Sequence, residues 1–239
     1  MTQYTKHSDV IFRELRAAIL NGELEKGSLH SIYELADRYQ VSRTPVREAV
    51  VRLADTGIVT IERNRGFRVR GLSAIEIQNV FEVRLLLEVP GAAQAATVDD
   101  PEYIAALDGF LAEMHEAVAR DDAEAFSAAD YALHDRVLSA FGNPRLTEYM
   151  HTLRNFTKEM GAVTLGHTRT LRDVGLEHEP IVTAIKSGDS AASAKAMADH
   201  LVETASLLIA RASGLDTEAA DSSWAEPYLR RLNVAVTEA

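Results

Sequence analysis

The chain changes character near residue 70, and that change limits its possible folds more than any other feature. Before it, short apolar stripes alternate with turn residues and end in two runs of β-forming side chains. After it, strand signals cease, and the text is rich in Ala and Leu, punctuated by Pro90, Pro101, Pro144, Pro180 and Pro227. A small mixed unit followed by an all-helical one is the architecture such a text allows. At 239 residues there is room for both, since domains run to ~100–200 residues.

In the first part, Ile11, Leu15, Ala18 and Ile19 fall at helical spacing and Gly22 marks the helix end. Ser31-Ile-Tyr-Glu34 reads as a capping box opening a short second helix, with Ile32, Leu35, Ala36 and Tyr39 inward. Val41 and Ser42 lead into a third. There Pro45 suits a first turn, Val46, Ala49, Val50 and Leu53 form the buried stripe, and Gly57 ends it. Ile58 to Glu62 and Phe67 to Arg70 read as two strands joined by a turn bearing Asn64 and Gly66. Three helices and a hairpin are the outline of a winged helix-turn-helix. Helices are then expected near 74–98 (bent or interrupted at Val89-Pro90-Gly91), 102–120, 122–140, 144–163, 171–187 and 190–211, with a short one near 222–232 beside Trp224. Short connections such as Ser187-Gly188-Asp189-Ser190 imply antiparallel neighbours. The expected fold is therefore mainly α: residues 1–72 a winged helix-turn-helix, and 73–239 an antiparallel all-α bundle of six or seven helices with an extension after 213.

Charge follows the same division. The whole chain has a formal net charge of -11, yet residues 1–72 carry 12 Lys+Arg against 9 Asp+Glu, leaving 13 against 27 for the remainder. Residues 41–70 alone hold seven arginines. A basic island on an acidic protein points to an anionic partner at one unit. With no cysteine, disulfide scaffolds, thiolate zinc sites and cysteine nucleophiles are excluded. No run approaches the ~18 apolar residues of a membrane span, and the N-terminus lacks the apolar core of a signal peptide. A cytoplasmic protein without a membrane partner is expected.

The third helix carries Arg43, Thr44 and Arg47 on its first turns, away from its core stripe. In helix-turn-helix docking those turns face base edges in the major groove, where arginine grips guanine with two hydrogen bonds. Arg52, further along, suits a phosphate, and Arg63 and Arg65 lie at the hairpin tip, where a wing meets minor groove or backbone. Taken together, Ile19-Leu-Asn-Gly-Glu-Leu, Tyr33-Glu-Leu-Ala, Val41-Ser-Arg-Thr-Pro-Val-Arg-Glu-Ala and Gly66-Phe resemble the DNA-binding domain of the GntR family of bacterial transcription regulators. The resemblance implies that Arg43, Arg47 and the wing carry operator contacts. It departs at Tyr33, a position where the family often has arginine.

Among eight histidines, spacing selects three. Asp130 and His134 are i, i+4 on one helical face. His178 and His200 stand on consecutive helices, each ten or eleven residues from the turn at Gly188 and Asp189. At 1.5 Å per residue both are roughly 15–17 Å from it, level across the hairpin. His115, His151 and His167 have no such partner. Three imidazoles and a carboxylate suit a divalent ion: zinc is the expected one, with nickel, cobalt and manganese open. Asp130-Tyr-Ala-Leu-His134, Gly142-Asn143, His178, Gly188-Asp189 and Met197-Ala-Asp-His200-Leu resemble the effector-binding (FCD) domain of the FadR subfamily. The resemblance implies that those four residues bind a metal facing the ligand cavity, a site that members similar to the acyl-CoA-responsive regulator lack. Arg84, among apolar neighbours, has two readings: an i, i+4 surface pair with Glu88, or an effector-binding clamp for a carboxylate, which the resemblance favours.

The expectation is a non-enzymatic, ligand-responsive regulator: a homodimer on a pseudo-palindromic double-stranded operator, with a small organic acid bound beside the metal. Repression relieved by the acid is the expected mode, and activation the alternative. Two rivals use the same Asp and three His: a metal-dependent enzyme activating water, and a regulator for which the ion itself is the signal.

Overall fold

A computed structural model describes residues 2–20, 22–159, 164, 169–216 and 220–234. The chain divides into two compact units, one of Met1–Leu72 with Asn155–Ala162 and one of Ser73–Arg154 with Val163–Ala239.

In the first unit, α1 (Thr2–Leu20), α2 (Ile32–Arg38) and α3 (Arg43–Asp55) surround a core of Ile11, Leu15, Leu35, Val46, Ala49, Val50 and Leu53. Both α1 and α2 pack on α3. Ser31 caps α2 by accepting from the Tyr33 N–H at 3.1 Å, one residue earlier than the expected capping box. Pro45 stands third in α3, where an amide proton would have no intrahelical partner. Strands β2 (Val59–Glu62) and β3 (Gly66–Val69) form the antiparallel hairpin, in register Thr60 with Arg68 and Ile61 with Phe67. A third strand, β1 (Leu29–His30), pairs with the other side of β3 and gives the order β1-β3-β2. Two residues are too few to carry a period, so β1 has no signature in the sequence. Gly66 makes its pairing possible: a Cβ there would stand 2.0 Å from the His30 carbonyl oxygen, and its φ of +119° favours glycine.

The second unit holds α4 (Ala74–Ala95), α5 (Pro101–Arg120), α6 (Ala123–Ser139), the part of α7 (Pro144–Glu159) up to Arg154, α8 (Leu171–Lys186), α9 (Ser190–Ala212) and, after a 3-10 turn at Ser223–Ala225, α10 (Glu226–Arg231). α4 packs against α9 and α6, α5 against α6 and α8, and α8 against α9. Side-chain caps start the rods: Ser73 with a reciprocal Glu76 for α4, Asp100 for α5, Asp122 for α6, Thr170 with Asp173 for α8 and Asp189 for α9. Of the bend or interruption expected at Val89-Pro90-Gly91, the interruption does not occur; α4 runs through Pro90. The carbonyl that loses its donor belongs to Leu86, an exposed residue where water can replace it. Gly91 serves a contact instead, since a Cβ there would lie 3.1 Å from Leu138 Cδ2 of α6. At the other end, Trp224 Nε1 donates to Ser206 Oγ at 3.1 Å, fixing the extension to α9. The expected helix to 163 is described only to Glu159; residues 160–163 lie outside the described residues. Among the described residues no helix is long and apolar enough to cross a membrane.

Candidate functional site

The arginines of the first unit end at its surface. Arg43, Thr44 and Arg47 are exposed at the start of α3, because its apolar stripe turns Val46, Ala49 and Val50 inward. Among the described residues neither Arg43 nor Arg47 makes an ion pair, and the same holds for exposed Arg63 at the hairpin tip. Two others are engaged. Arg52 Nη1 lies 2.6 Å from Asp9 Oδ1, with its guanidinium over Phe12, and Arg65 Nη1 lies 2.9 Å from Glu62 Oε2. Exposed pairs of this kind contribute only ~0–1 kcal/mol, little enough for a phosphate to displace them. The unit therefore presents unneutralised guanidinium groups to solvent.

The second unit does the opposite with its charge. His134 of α6, His178 of α8 and His200 of α9 are buried, and a ring nitrogen of each lies within 4.8 Å of the others. Asp130, one turn before His134, brings Oδ1 to 3.0 Å from His178 Nε2. Thus His134, His178 and His200 meet in one place, with Asp130 against two of them. His178 Nδ1 donates to the Val174 carbonyl at 2.8 Å, which turns its Nε2 toward the cluster. His134 Nδ1 is held by Glu88 Oε2, and His200 Nδ1 by Glu177 Oε2 at 2.9 Å. Each ring is thereby oriented by an acceptor behind it, the arrangement that steers Nε2 toward a cation. His134 Nε2 and His178 Nε2 face each other at 3.3 Å. These two nitrogens and the Asp130 carboxylate oxygen face one another at separations where they share either a proton or a cation. The donor set fits a divalent metal ion held by Asp130, His134, His178 and His200.

Electrostatics favour the ligating forms. Burial depresses His134 and pushes His200 well below the usual histidine value, which favours the neutral ring in both. Burial would raise Asp130, but chiefly Arg154, donating from Nη2 to Oδ2, holds it well below the usual carboxylate range. Glu88 behaves alike: burial pushes it up, and Arg84 with His134 more than offsets this, keeping it ionised. Glu177 is raised, because burial outweighs the attraction of Arg169.

Arg84 is 7% exposed, and its Nε lies 2.6 Å from Glu88 Oε1. The i, i+4 pair is thus present but buried, and Glu88 passes it on to His134. That chain, Arg84 to Glu88 to His134, goes unmarked in sequence reasoning, as do Arg154, Arg169 and Glu177. One signal was available: Arg84 and Glu88 fall in the same stripe as Phe81, Leu85, Val89 and Ala92, so charge was entering a buried face. Of the remaining histidines, His115 pairs with Glu179 at 3.2 Å and His151 with Asp135 at 2.5 Å, both at the surface. His167 lies outside the described residues.

Comparison with known proteins places both units. The model of the FCD domain matches residues 79–203, and that of "Bacterial regulatory proteins, gntR family" matches residues 7–69. The "HTH-type transcriptional regulator LutR" of Bacillus subtilis is 30% identical over 215 residues, spanning 80% of this chain and 95% of that one. The "Gluconate operon transcriptional repressor" of Bacillus subtilis is 29% identical over 187 residues, 74% of this chain and 75% of that one. Among solved structures, Lar, which controls the expression of the agr system of Listeria monocytogenes, superposes with a TM-score of 0.59 at 19% identity, covering 87% of this chain and 97% of that one.

Proposed function

The chain belongs to the GntR family of bacterial transcription regulators, in the FadR-like group whose helical half is an FCD domain, and from that premise we propose that it is a metal-containing, acid-responsive repressor. Residues 1–72 bind a pseudo-palindromic operator as one half of a homodimer, through Arg43, Thr44 and Arg47 on α3, Arg63 and Arg65 at the wing and Arg52 beside the backbone. Residues 73–239 form the effector-binding and dimerisation domain. Its divalent ion is zinc, in preference to nickel, cobalt or manganese, and Asp130, His134, His178 and His200 hold it. When bound, such an ion supplies a Lewis-acidic point on which a carboxylate oxygen can rest.

One observation carries this reading: four donors from α6, α8 and α9 converge in the interior with each imidazole oriented from behind. Arg84 bears on the effector's carboxylate beside the metal. It is held in place by Glu88, so an acid competes for a guanidinium that already has a partner. Repression agrees with the relative named for the gluconate operon, a repressor of genes for a sugar acid. The acid alters operator affinity only through different affinities for the DNA-competent and incompetent arrangements. A regulator of this kind acts in the cytoplasm, where its operator is.

The test is a calorimetric titration of hydroxy and sugar acids into metal-stripped and zinc-reloaded protein, followed by operator-binding assays with and without the acid that binds. Acid binding that requires zinc and weakens operator binding supports the proposal. Operator binding that follows zinc alone makes the ion the signal, and turnover of an acid makes the protein an enzyme; either result overturns it.

A further inference from the structure

We propose that Tyr33 is a positioning residue for operator reading, its ring forming the platform that holds the Arg43 guanidinium ready to meet a base. The inference rests on the DNA-reading role proposed for α3. Tyr33 is the second residue of α2 and is 59% exposed, while the buried face of that helix is carried by Leu35 and Ala36. A large ring standing in solvent is not there for the core. The Arg43 guanidinium carbon lies 3.9 Å from the centre of this ring. The backbone that carries the ring is anchored, because the Tyr33 main-chain N–H donates to the Ser31 side chain that caps α2.

Stacking uses the face of the guanidinium and leaves its N–H groups, which lie in its plane, free to reach outward. No carboxylate competes for Arg43 among the described residues. The ring thus orders the side chain without neutralising it, which an acidic partner could not do. Arg47, one turn further on, has no aromatic neighbour of this kind among the described residues. Ordering Arg43 in the free protein lowers the entropy lost when it docks, and restricts the directions from which it approaches a base edge. An exposed cation–π contact corresponds to about 2- to 5-fold in affinity.

The experiment uses full-length protein and the duplex it selects from a random pool, with affinity read by fluorescence anisotropy at fixed salt. Tyr33→Ala is expected to weaken binding about 2- to 5-fold and to relax preference at the base position that Arg43→Ala also relaxes, with unchanged melting. Tyr33→Phe, which keeps the ring, is expected to retain wild-type behaviour. In an Arg43→Ala background, Tyr33→Ala is expected to cost nothing further, which a structural role for the ring would not produce. Wild-type affinity and preference in Tyr33→Ala, alongside a weakened Arg43→Ala, would overturn the inference alone. An undiminished Tyr33 effect in the Arg43→Ala background would overturn it too. If Arg43→Ala and Arg47→Ala both bind like wild type, the DNA-reading role of α3 fails, and this inference with it.

Discussion

The two units use the same side chain in opposite ways. In the first, Arg43, Arg47 and Arg63 stand exposed with no ion pair among the described residues. In the second, Arg84, Arg154 and Arg169 are buried and end on Glu88, Asp130 and Glu177. Unpaired guanidinium groups in water bind a polyanion by releasing its counterions, a gain that salt erodes. Arg84 and Arg154 hold Glu88 and Asp130 in their charged form, and those carboxylates stand against the histidine cluster. One unit is built to lose its counter-charge to a partner, and the other to keep its counter-charge fixed.

The strongest challenge to this contrast is His178→Ala. Removing a donor is expected to lower zinc affinity by more than the ~10–100-fold typical of residues behind the ligands. Operator binding by the first unit should change little, as elemental analysis and anisotropy on the same sample would show. Next, Arg47→Ala is expected to weaken operator binding by ~1–3 kcal/mol and relax preference at one base position. If it instead acts on a phosphate, affinity falls evenly across sequences and the salt slope drops by about one. Glu88→Gln, which keeps the shape but removes the charge behind His134, is expected to cost ~10–100-fold in zinc affinity while leaving DNA binding intact. Unaltered zinc affinity would reduce Glu88 to a mere counter-ion of Arg84.

The smallest effect is on pH dependence. Glu88 and Asp130 are held below their ordinary values, and His134 and His200 below theirs. All four bind fewer protons folded than unfolded, so the stability they confer is complete above the unfolded histidine value of 6.5 and declines as the pH falls. Glu177, raised by burial, runs the other way. Thermal melting of the metal-free protein should therefore drop from about pH 6.5 downward, and a flat profile would refute the buried network. The exposed pairs of Arg52 and Arg65 should add little to this profile.

Much of this was legible in the sequence where a feature repeats along one element. The stripe Val46, Ala49, Val50, Leu53 announces α3 and leaves Arg43 and Arg47 on its outer side. Asp130 and His134 share a face by helical geometry, and counting from the turn at Gly188 sets His178 level with His200, whose rings stand 4.4 Å apart. What stayed hidden depends on how rods rotate against each other. Glu88 reaches His134 across 46 positions, and Arg154 reaches Asp130 from α7. Glu177 stands next to His178 in sequence, but it supports the ring of a different helix, His200. Strand β1 was missed because its partner, not its own two residues, makes it a strand.

The α-carbon of Gly91 carries no side chain. It lies against Leu138, one turn beyond His134 on the rod that also bears Asp130. A methyl group there would press on that rod without touching a donor, an effector or DNA. The spacing of α4 against α6 at that level, and with it the seat of the His134 ring, is thus partly set by an atom that the chain omits.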